Sequence, residues 1–264
     1  VSARRSAFVD GIALWGPRLP GWTLARPILR GETAPPEVPA VRPSPALLPP
    51  TERRRAPDTV AVALEVAVRA SEMAGADPRT FASVFASAYG DLAINDYLCQ
   101  TLRDSPALTS PTKFHNSVHN AAAGYWSIGT GSMQPYTALA AYLETFAAGL
   151  LESLVQVAVS AAPVLCVAYD VEARGPLATE IICRQLLGMA LLIVPERTSR
   201  SAARLHWRLL EDDVPPTTAP GARAAAGGAI DEVLAALQPV LSEAERGLLA
   251  AGWKSGRVER VLDA

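Results

Sequence analysis

The chain has 264 residues, half of them apolar and 6% aromatic, so it holds enough apolar material for a sizeable buried core. Its net charge of −2 gives no electrostatic reason to expect nucleic acid or an anionic membrane as a partner. Because alanine and valine supply much of the apolar fraction, the composition suits helices packed closely on a sheet.

The cysteines and the apolar runs indicate the compartment. Cys99, Cys166 and Cys183 are odd in number and widely spaced, which predicts reduced, buried thiols in a cytoplasmic protein. We find no apolar run of the eighteen or so residues that a membrane span requires. The opening VSARRSAFVDGIALWGP predicts a strand rather than a signal peptide.

The first half of the chain alternates between strand and helix patterns. The predicted segments are a strand at 7–17, an irregular proline-rich stretch at 31–57, a helix at 58–74, a strand at 80–90 and a helix at 91–102. Asp58 and Asp91 are the predicted N-caps of the two helices, and Gly75 ends the first of them.

The second half continues the alternation and ends in a different composition. The predicted segments are a helix at 119–129, a strand at 133–141, a helix at 144–161, strands at 163–171, 185–196 and 202–211, a linker at 212–228 and a helical tail at 229–264. The unbroken apolar run at 163–171 is typical of a parallel strand covered on both faces. Together these patterns predict an α/β layered fold with one core, extending to about residue 211.

Two histidines four residues apart, His115 and His119, are the first candidates for chemistry. They could serve as metal ligands, as a catalytic base with its orienting group, or as framework. Zinc needs three or four ligands, and no cysteine or further histidine lies nearby in sequence, so we favour structural roles. The third histidine, His206, lies on an alternating, strand-like segment. We therefore expect neither a metal nor a cofactor.

Other motifs do not assemble an active site. Gly129-Thr130-Gly131 follows a helix-like segment rather than a strand, which argues against a dinucleotide loop. The sequence has no G-x-S-x-G nucleophile elbow, and none of the three cysteines lies at a predicted strand-to-helix bend. The residue patterns alone therefore leave the chemistry undefined.

A longer stretch carries a family resemblance. FHNSVHNAAAGYWSIGTG, continued by SMQPYTALAAYLETFAAGLLESL, resembles the N-terminal half of the β-ketoacyl synthases. It is similar in particular to the chain-length-factor-like proteins that accompany ketosynthases in aryl polyene synthesis. The resemblance runs from FVDGIALWGPRLPGW to GMALLIVPE, roughly residues 1–211. It implies a thiolase-like α/β fold with a mixed sheet, present as the N-terminal half only and followed by the helical tail.

The resemblance also implies where the chemistry is missing. In these enzymes a strand ends at a nucleophilic cysteine, at the mouth of a helix. This position falls at Leu143, give or take one residue, and Tyr142, Leu143 and Glu144 carry no thiol. The two catalytic histidines of the family belong to its C-terminal half, which we expect this chain to lack. His115 and His119 precede the bend, so they are not the catalytic histidines of the family. Because the thiol and both of those histidines are expected to be missing, the chain is not expected to be an enzyme on its own.

What remains is the role of a non-catalytic subunit. The resemblance implies a chain length factor that pairs with a catalytic β-ketoacyl synthase as a heterodimer, possibly of higher order, and meets acyl carrier protein indirectly. The residues expected at the acyl tunnel or the partner interface are Phe114, Val118, Met133, Tyr136, Tyr142, Leu143, Glu144 and Phe146. For each of them core packing is the alternative. For the whole chain the alternatives are an independent acyl-thioester decarboxylase or hydrolase, and an acyl-carrier-protein docking scaffold.

Overall fold

The structure is a computed structural model that describes residues 5–179, 181, 183, 185–209 and 258–261. Its strands are β1 (Arg5–Gly16), β2 (Leu19–Pro20), β3 (Ala82–Ala86), β4 (Tyr136–Leu139), β5 (Val164–Asp170), β6 (Leu187–Val194), β7 (Ala203–Leu209) and β8 (Val258–Val261). Its helices are α1 (Trp22–Leu29), α2 (Pro50–Arg55), α3 (Asp58–Ala74), α4 (Leu92–Asp104), α5 (Pro111–Asn116), α6 (Ala121–Thr130) and α7 (Thr145–Ser160).

One mixed sheet organises these elements. The described strands form an eight-stranded sheet in the order β4-β3-β5-β6-β1-β7-β8, and β2 pairs with the end of β1. β3 is parallel to both β4 and β5, whereas the remaining pairs are antiparallel. The α/β class and the mixed sheet predicted from the sequence are therefore confirmed.

Helices cover both faces of the sheet and create two apolar cores. α3 and α6 pack on one face, and α1 and α7 pack on the other. β5 shows how one strand serves both cores: Val164 and Cys166 point to the α7 side, while Leu165, Val167 and Tyr169 point to the α3 side. This double burial explains the unbroken apolar run, although β5 is parallel only to β3 and antiparallel to β6.

A bulge in β1 changes which residues face each core. The register against β6 shifts between Val9 and Gly11, so Val9 and then Ile12 face the α7 side despite their odd spacing. At the bulge, α3 comes very close to the strand. A Cβ atom placed on Gly11 would lie 2.0 Å from the carbonyl oxygen of Ala70. Only glycine permits this approach.

Two of the three predicted helix boundaries, those at Gly75 and Asp91, are confirmed. α3 ends at Gly75 in the left-handed conformation, and the Asp91 side chain accepts a hydrogen bond from the backbone N–H of Ile94, as predicted. The prediction of Asp58 as an N-cap is wrong, because Asp58 is the first helical residue and its carboxylate instead pairs with Arg42.

Three helices, α1, α2 and α5, and two strands, β2 and β8, were not predicted, and α2 corrects the irregular structure expected for that part of 31–57. α1 contains Pro27, and α5 spans only six residues, so neither shows a long apolar period. Val258–Val261 form a strand against β7, which corrects the helical prediction for those four residues. The predicted linker at 212–228 and the rest of the predicted tail lie outside the described residues. Within the described part, none of the helices is long and apolar enough to cross a membrane.

Candidate functional site

The ends of three neighbouring parallel strands define the candidate site. β4, β3 and β5 lie side by side and run in the same direction, so their carboxyl ends meet at one edge of the sheet. Ligands of α/β sheets bind at this edge. The turn Ser87–Gly90 follows β3, the bend at Tyr142 follows β4, and Asp170 ends β5.

The turn after β3 is fixed by hydrogen bonds to two side chains, Asp170 and His119. The Asp170 carboxylate accepts hydrogen bonds from Ser87 Oγ at 2.8 Å and from the Ala88 backbone N–H at 3.0 Å. The His119 Nε2–H donates to the Ser87 carbonyl oxygen over 2.8 Å. Ser87 Oγ also accepts from the N–H of Gly90, whose φ of 66° is in the left-handed region. The turn is therefore tightly restrained.

Burial dominates the ionisation of Asp170. It raises the pKa of this carboxyl from 3.8 to about 6, while the hydrogen bonds from Ser87 and Ala88 and the charge of His119 act in the opposite direction. The folded protein therefore keeps a proton on Asp170 between about pH 4 and pH 6, where the unfolded chain has already released it.

This difference predicts a pH dependence of stability. The contribution of Asp170 is fully present below about pH 4 and is lost as the pH rises to about 6. The pKa difference of about 2 units corresponds to about 3 kcal/mol at about 1.4 kcal/mol per unit. Because Asp170 is partly exposed, the expected loss is about 2 kcal/mol. Asp170→Asn, which mimics the neutral acid, should lack this loss in urea unfolding curves recorded from pH 4 to pH 7. The exposed control Asp104→Asn should retain it, and parallel pH profiles for wild type and Asp170→Asn would contradict the assignment.

The bend between β4 and α7 has a strained backbone. Tyr142 adopts a φ of 51°, which is uncommon for a residue with a bulky side chain. The Thr145 hydroxyl stabilises the bend by accepting the N–H of Ala141 at 3.0 Å and donating to the Tyr142 carbonyl oxygen at 2.7 Å. A sharp, strained strand-to-helix turn is the geometry of a nucleophile elbow.

An aromatic pair covers this bend. The Tyr142 ring meets the ring of Tyr89 edge to face, with 6.1 Å between centroids and an interplanar angle of 88°. Tyr89 belongs to the turn that Asp170 and His119 restrain. The sequence analysis did not select Tyr89, because an aromatic residue after a short strand gives no signal of its own.

Most of the expected tunnel or interface residues lie at the surface. Phe114, Val118, Met133, Tyr136 and Tyr142 are all exposed, Met133 at 96% and Phe114 at 65%, so none of these five is a core residue. The other three differ. Phe146, in α7, is partly buried against the apolar core between α7 and the sheet. Glu144 is half-buried, and the side chain of Leu143 lies outside the described part of the structure.

Several of the exposed residues border an open sheet edge. Among the described strands β4 pairs only with β3, so its other side offers backbone groups to a further strand. Met133 precedes β4, Tyr136 begins it and Tyr142 follows it. The combination of an open edge and exposed apolar side chains is typical of an interaction surface.

The histidines and cysteines are distributed through the framework. His115 stacks edge to face on Tyr125, and His206 lies in β7, four strands away from β3, with its Nδ1 2.8 Å from Ser6 Oγ. Cys166 is buried, which raises the pKa of its thiol to about 11 and keeps it neutral near pH 7.

The burial predicted for all three cysteines is wrong for Cys99. The main contacts of α4 are with α5 and with the short turn at Pro106–Leu108, and the Cys99 thiol is exposed. Cys183 is half-buried.

Comparison with known families decides the assignment. The family model described as the β-ketoacyl synthase N-terminal domain matches residues 29–254. The chain belongs to the β-ketoacyl synthase N-terminal domain family. No curated protein matches it. The family match extends beyond residue 211, where we expected the resemblance to end.

Solved structures share the fold of this ketosynthase-type domain at low sequence identity. A chain of the ketosynthase ApeO in complex with its chain length factor ApeC, from Xenorhabdus doucetiae, is 20% identical, with a TM-score of 0.64 over 79% of this chain and 84% of that chain. The ishigamide ketosynthase/chain length factor is 16% identical, with a TM-score of 0.59 over 95% and 89%. A chain of AntDE:AntF, a type II polyketide synthase acyl-carrier protein in complex with its ketosynthase bound to the hexaketide, is 10% identical, with a TM-score of 0.63 over 96% and 91%. The thiolase-like fold predicted from the resemblance is thereby confirmed.

Within the β-ketoacyl synthase domain, the strained residue is Tyr142, one position before Leu143. Its phenol cannot form the thioester that a cysteine at an elbow would form, and neither neighbour carries a thiol. The site therefore combines an elbow backbone with an aromatic surface.

Proposed function

We propose that this chain is a non-catalytic chain length factor that pairs with an active β-ketoacyl synthase and shapes the acyl tunnel during polyene or polyketide chain elongation. The observation that carries the proposal is the elbow after β4. Its strained backbone holds tyrosine, leucine and glutamate at the position that the family resemblance assigns to the thiol of a condensing enzyme. Such an elbow serves as a shaped wall rather than as a nucleophile.

The open edge of β4 supports pairing with a partner subunit. Its outward backbone groups and the exposed side chains of Met133, Tyr136 and Tyr142 would be covered by a partner strand and the surface around it. Phe114 and Val118, on or just after α5, are further exposed apolar side chains that a partner could cover. Burial of these groups would stabilise the heterodimer relative to the separate chains.

The fold neighbours support the same choice of partner. Two of them are named as ketosynthase and chain length factor assemblies, and a third as a ketosynthase with its acyl-carrier protein. By this likeness, acyl carrier protein reaches the complex through the catalytic partner, and aryl polyene synthesis is the pathway class we expect. The unoxidised thiols of Cys99 and Cys166 suit a cytoplasmic assembly.

Co-expression with a catalytic β-ketoacyl synthase from the same genome tests the proposal. We expect the two chains to co-purify, to elute together in analytical sizing, and to make products of defined length from acyl and malonyl carrier-protein substrates. Without this chain the ketosynthase should lose activity or make a changed product distribution, because one wall of the tunnel is absent.

The alternatives give different outcomes. Turnover of acyl thioesters by this chain alone, or an acyl group attached covalently to it, would contradict a non-catalytic role. Product lengths that are the same with and without the chain would contradict the chain length role, even if the chain still bound carrier protein.

A further inference from the structure

The turn after β3 places an unassigned aromatic side chain at the elbow. We propose that Tyr89 sets, together with Tyr142, the longest acyl chain that the complex accepts, and that Asp170 and His119 are positioning residues for Tyr89. This inference rests on the proposed function. It assigns the length limit to a particular contact within this chain.

The backbone turn that carries Tyr89 is restrained by two side chains from other parts of the chain. The Asp170 carboxylate holds this turn through Ser87 Oγ and His119 Nε2 holds it through the Ser87 carbonyl oxygen, at 2.8 Å in each case. Gly90 closes the turn through the Ser87 hydroxyl at 2.9 Å. A side chain on such a turn has a fixed direction, as a wall of defined depth requires.

The Tyr142 ring alone would limit the length of the acyl chain poorly. Its ring is 64% exposed and its backbone is strained, so few contacts within the chain hold the ring in place. The described ring contact of Tyr142 is with Tyr89, edge to face. Tyr89 is only half-buried, and the pKa of its phenol is raised by this burial first and by Tyr142 second. Tyr89 is thus the less exposed ring of the pair and lies in contact with Tyr142.

An apolar chain that arrives at the elbow from the partner would meet this pair of rings. Two rings in edge-to-face contact fill the space and do not yield to further methylene groups, because overpacking forces unfavourable side-chain conformations. Removal of the Tyr89 ring would leave space next to Tyr142 and allow the Tyr142 ring to move into it. The limit on chain length would then rise.

Product analysis of the co-expressed complex tests the assignment. We expect Tyr89→Ala to shift the main product by at least one extension unit, and Tyr89→Phe to restore the original limit, since it retains the ring. The matched control is Tyr97→Ala on α4, whose described ring contact is with the ammonium of Lys113 and not with Tyr89 or Tyr142. Its product distribution should equal that of wild type. If Tyr89→Ala does not co-purify with the ketosynthase, Tyr89→Leu, which fills more of the space, replaces it.

The positioning role has a separate readout. His119→Ala should broaden the product distribution at an unchanged yield of complex, because the turn loses one of its two supports. His119→Gln retains an N–H donor for the Ser87 carbonyl oxygen and should restore the narrow distribution. An equally narrow distribution in His119→Ala would overturn the positioning role.

Failure of this inference is distinguishable from failure of the proposed function. If product length follows Tyr142→Ala but not Tyr89→Ala or Tyr89→Leu, the assignment of Tyr89 is wrong and the chain length role stands. If the products do not depend on the presence of the chain at all, the proposed function itself is wrong.

Discussion

Gly11→Ala is expected to lower the free energy of unfolding by about 3 kcal/mol, at the upper end of the usual cost of overpacking. The new Cβ would lie 2.0 Å from the carbonyl oxygen and 2.9 Å from the carbonyl carbon of Ala70. Both are backbone atoms in the middle of the buried helix α3, so no side-chain rotation relieves the overlap. Either α3 or the bulge in β1 must move.

Urea unfolding followed by tryptophan fluorescence measures this loss. Gly124→Ala is the matched control, because Gly124 lies within α6 and a Cβ there would meet no atom within 4 Å. Alanine at that position should stabilise the protein by about 0.5–1 kcal/mol through its better helix propensity. Equal urea midpoints for Gly11→Ala and wild type would show that α3 does not approach β1 as described.

Ala138→Pro is expected to weaken association with the proposed ketosynthase partner while leaving the fold intact. The N–H groups of Ser83 and Ser87 donate to the carbonyl oxygens of Pro135 and Leu139, so alternate residues of β4 face β3. Ala138 falls between them, and its own N–H points to the open edge. Proline there removes an outward donor and adds a ring on the side where a partner strand would lie.

We expect at least a tenfold loss of affinity, since even one lost hydrogen bond is worth about 1 kcal/mol and the ring adds a steric cost. Co-purification and analytical sizing measure the loss, and circular dichroism of the isolated chain checks that the sheet remains. Ala138→Ser keeps the N–H and should bind as wild type does. If Ala138→Pro still forms the complex, the partner does not pair with the edge of β4.

The sequence predicted the elements whose signals are local. Asp91 and Gly75 mark helix ends because capping depends on one side chain or one backbone conformation. The helix α1 escaped prediction because Pro27 lies inside it and no side chain caps its first residue. Its support comes from packing against the α7 side of the sheet, which a local pattern does not show.

The site was predictable only in part, for a similar reason. The family resemblance led to the bend at 142–144, whereas the strain at Tyr142 and its contact with Tyr89 depend on residues 53 positions apart in the chain. The proton retained by Asp170 likewise results from burial at the end of β5, which no neighbouring residue indicates. The strands β6 and β1 continue the sheet in antiparallel pairing next to the parallel strands β4, β3 and β5. This arrangement is also non-local, because β1 and β6 lie far apart in the chain.

The position of β1 has a consequence for biosynthesis on the ribosome. Apart from its short hairpin with β2, this strand pairs with β6 and β7, so Phe8 waits for Val194 and Arg204 to be translated. At elongation rates of about 5–20 residues per second, the delay lasts on the order of ten seconds or more. During that interval an apolar segment stays unpaired on the nascent polypeptide, which makes it a natural client for a ribosome-associated chaperone, and the high contact order favours slow folding.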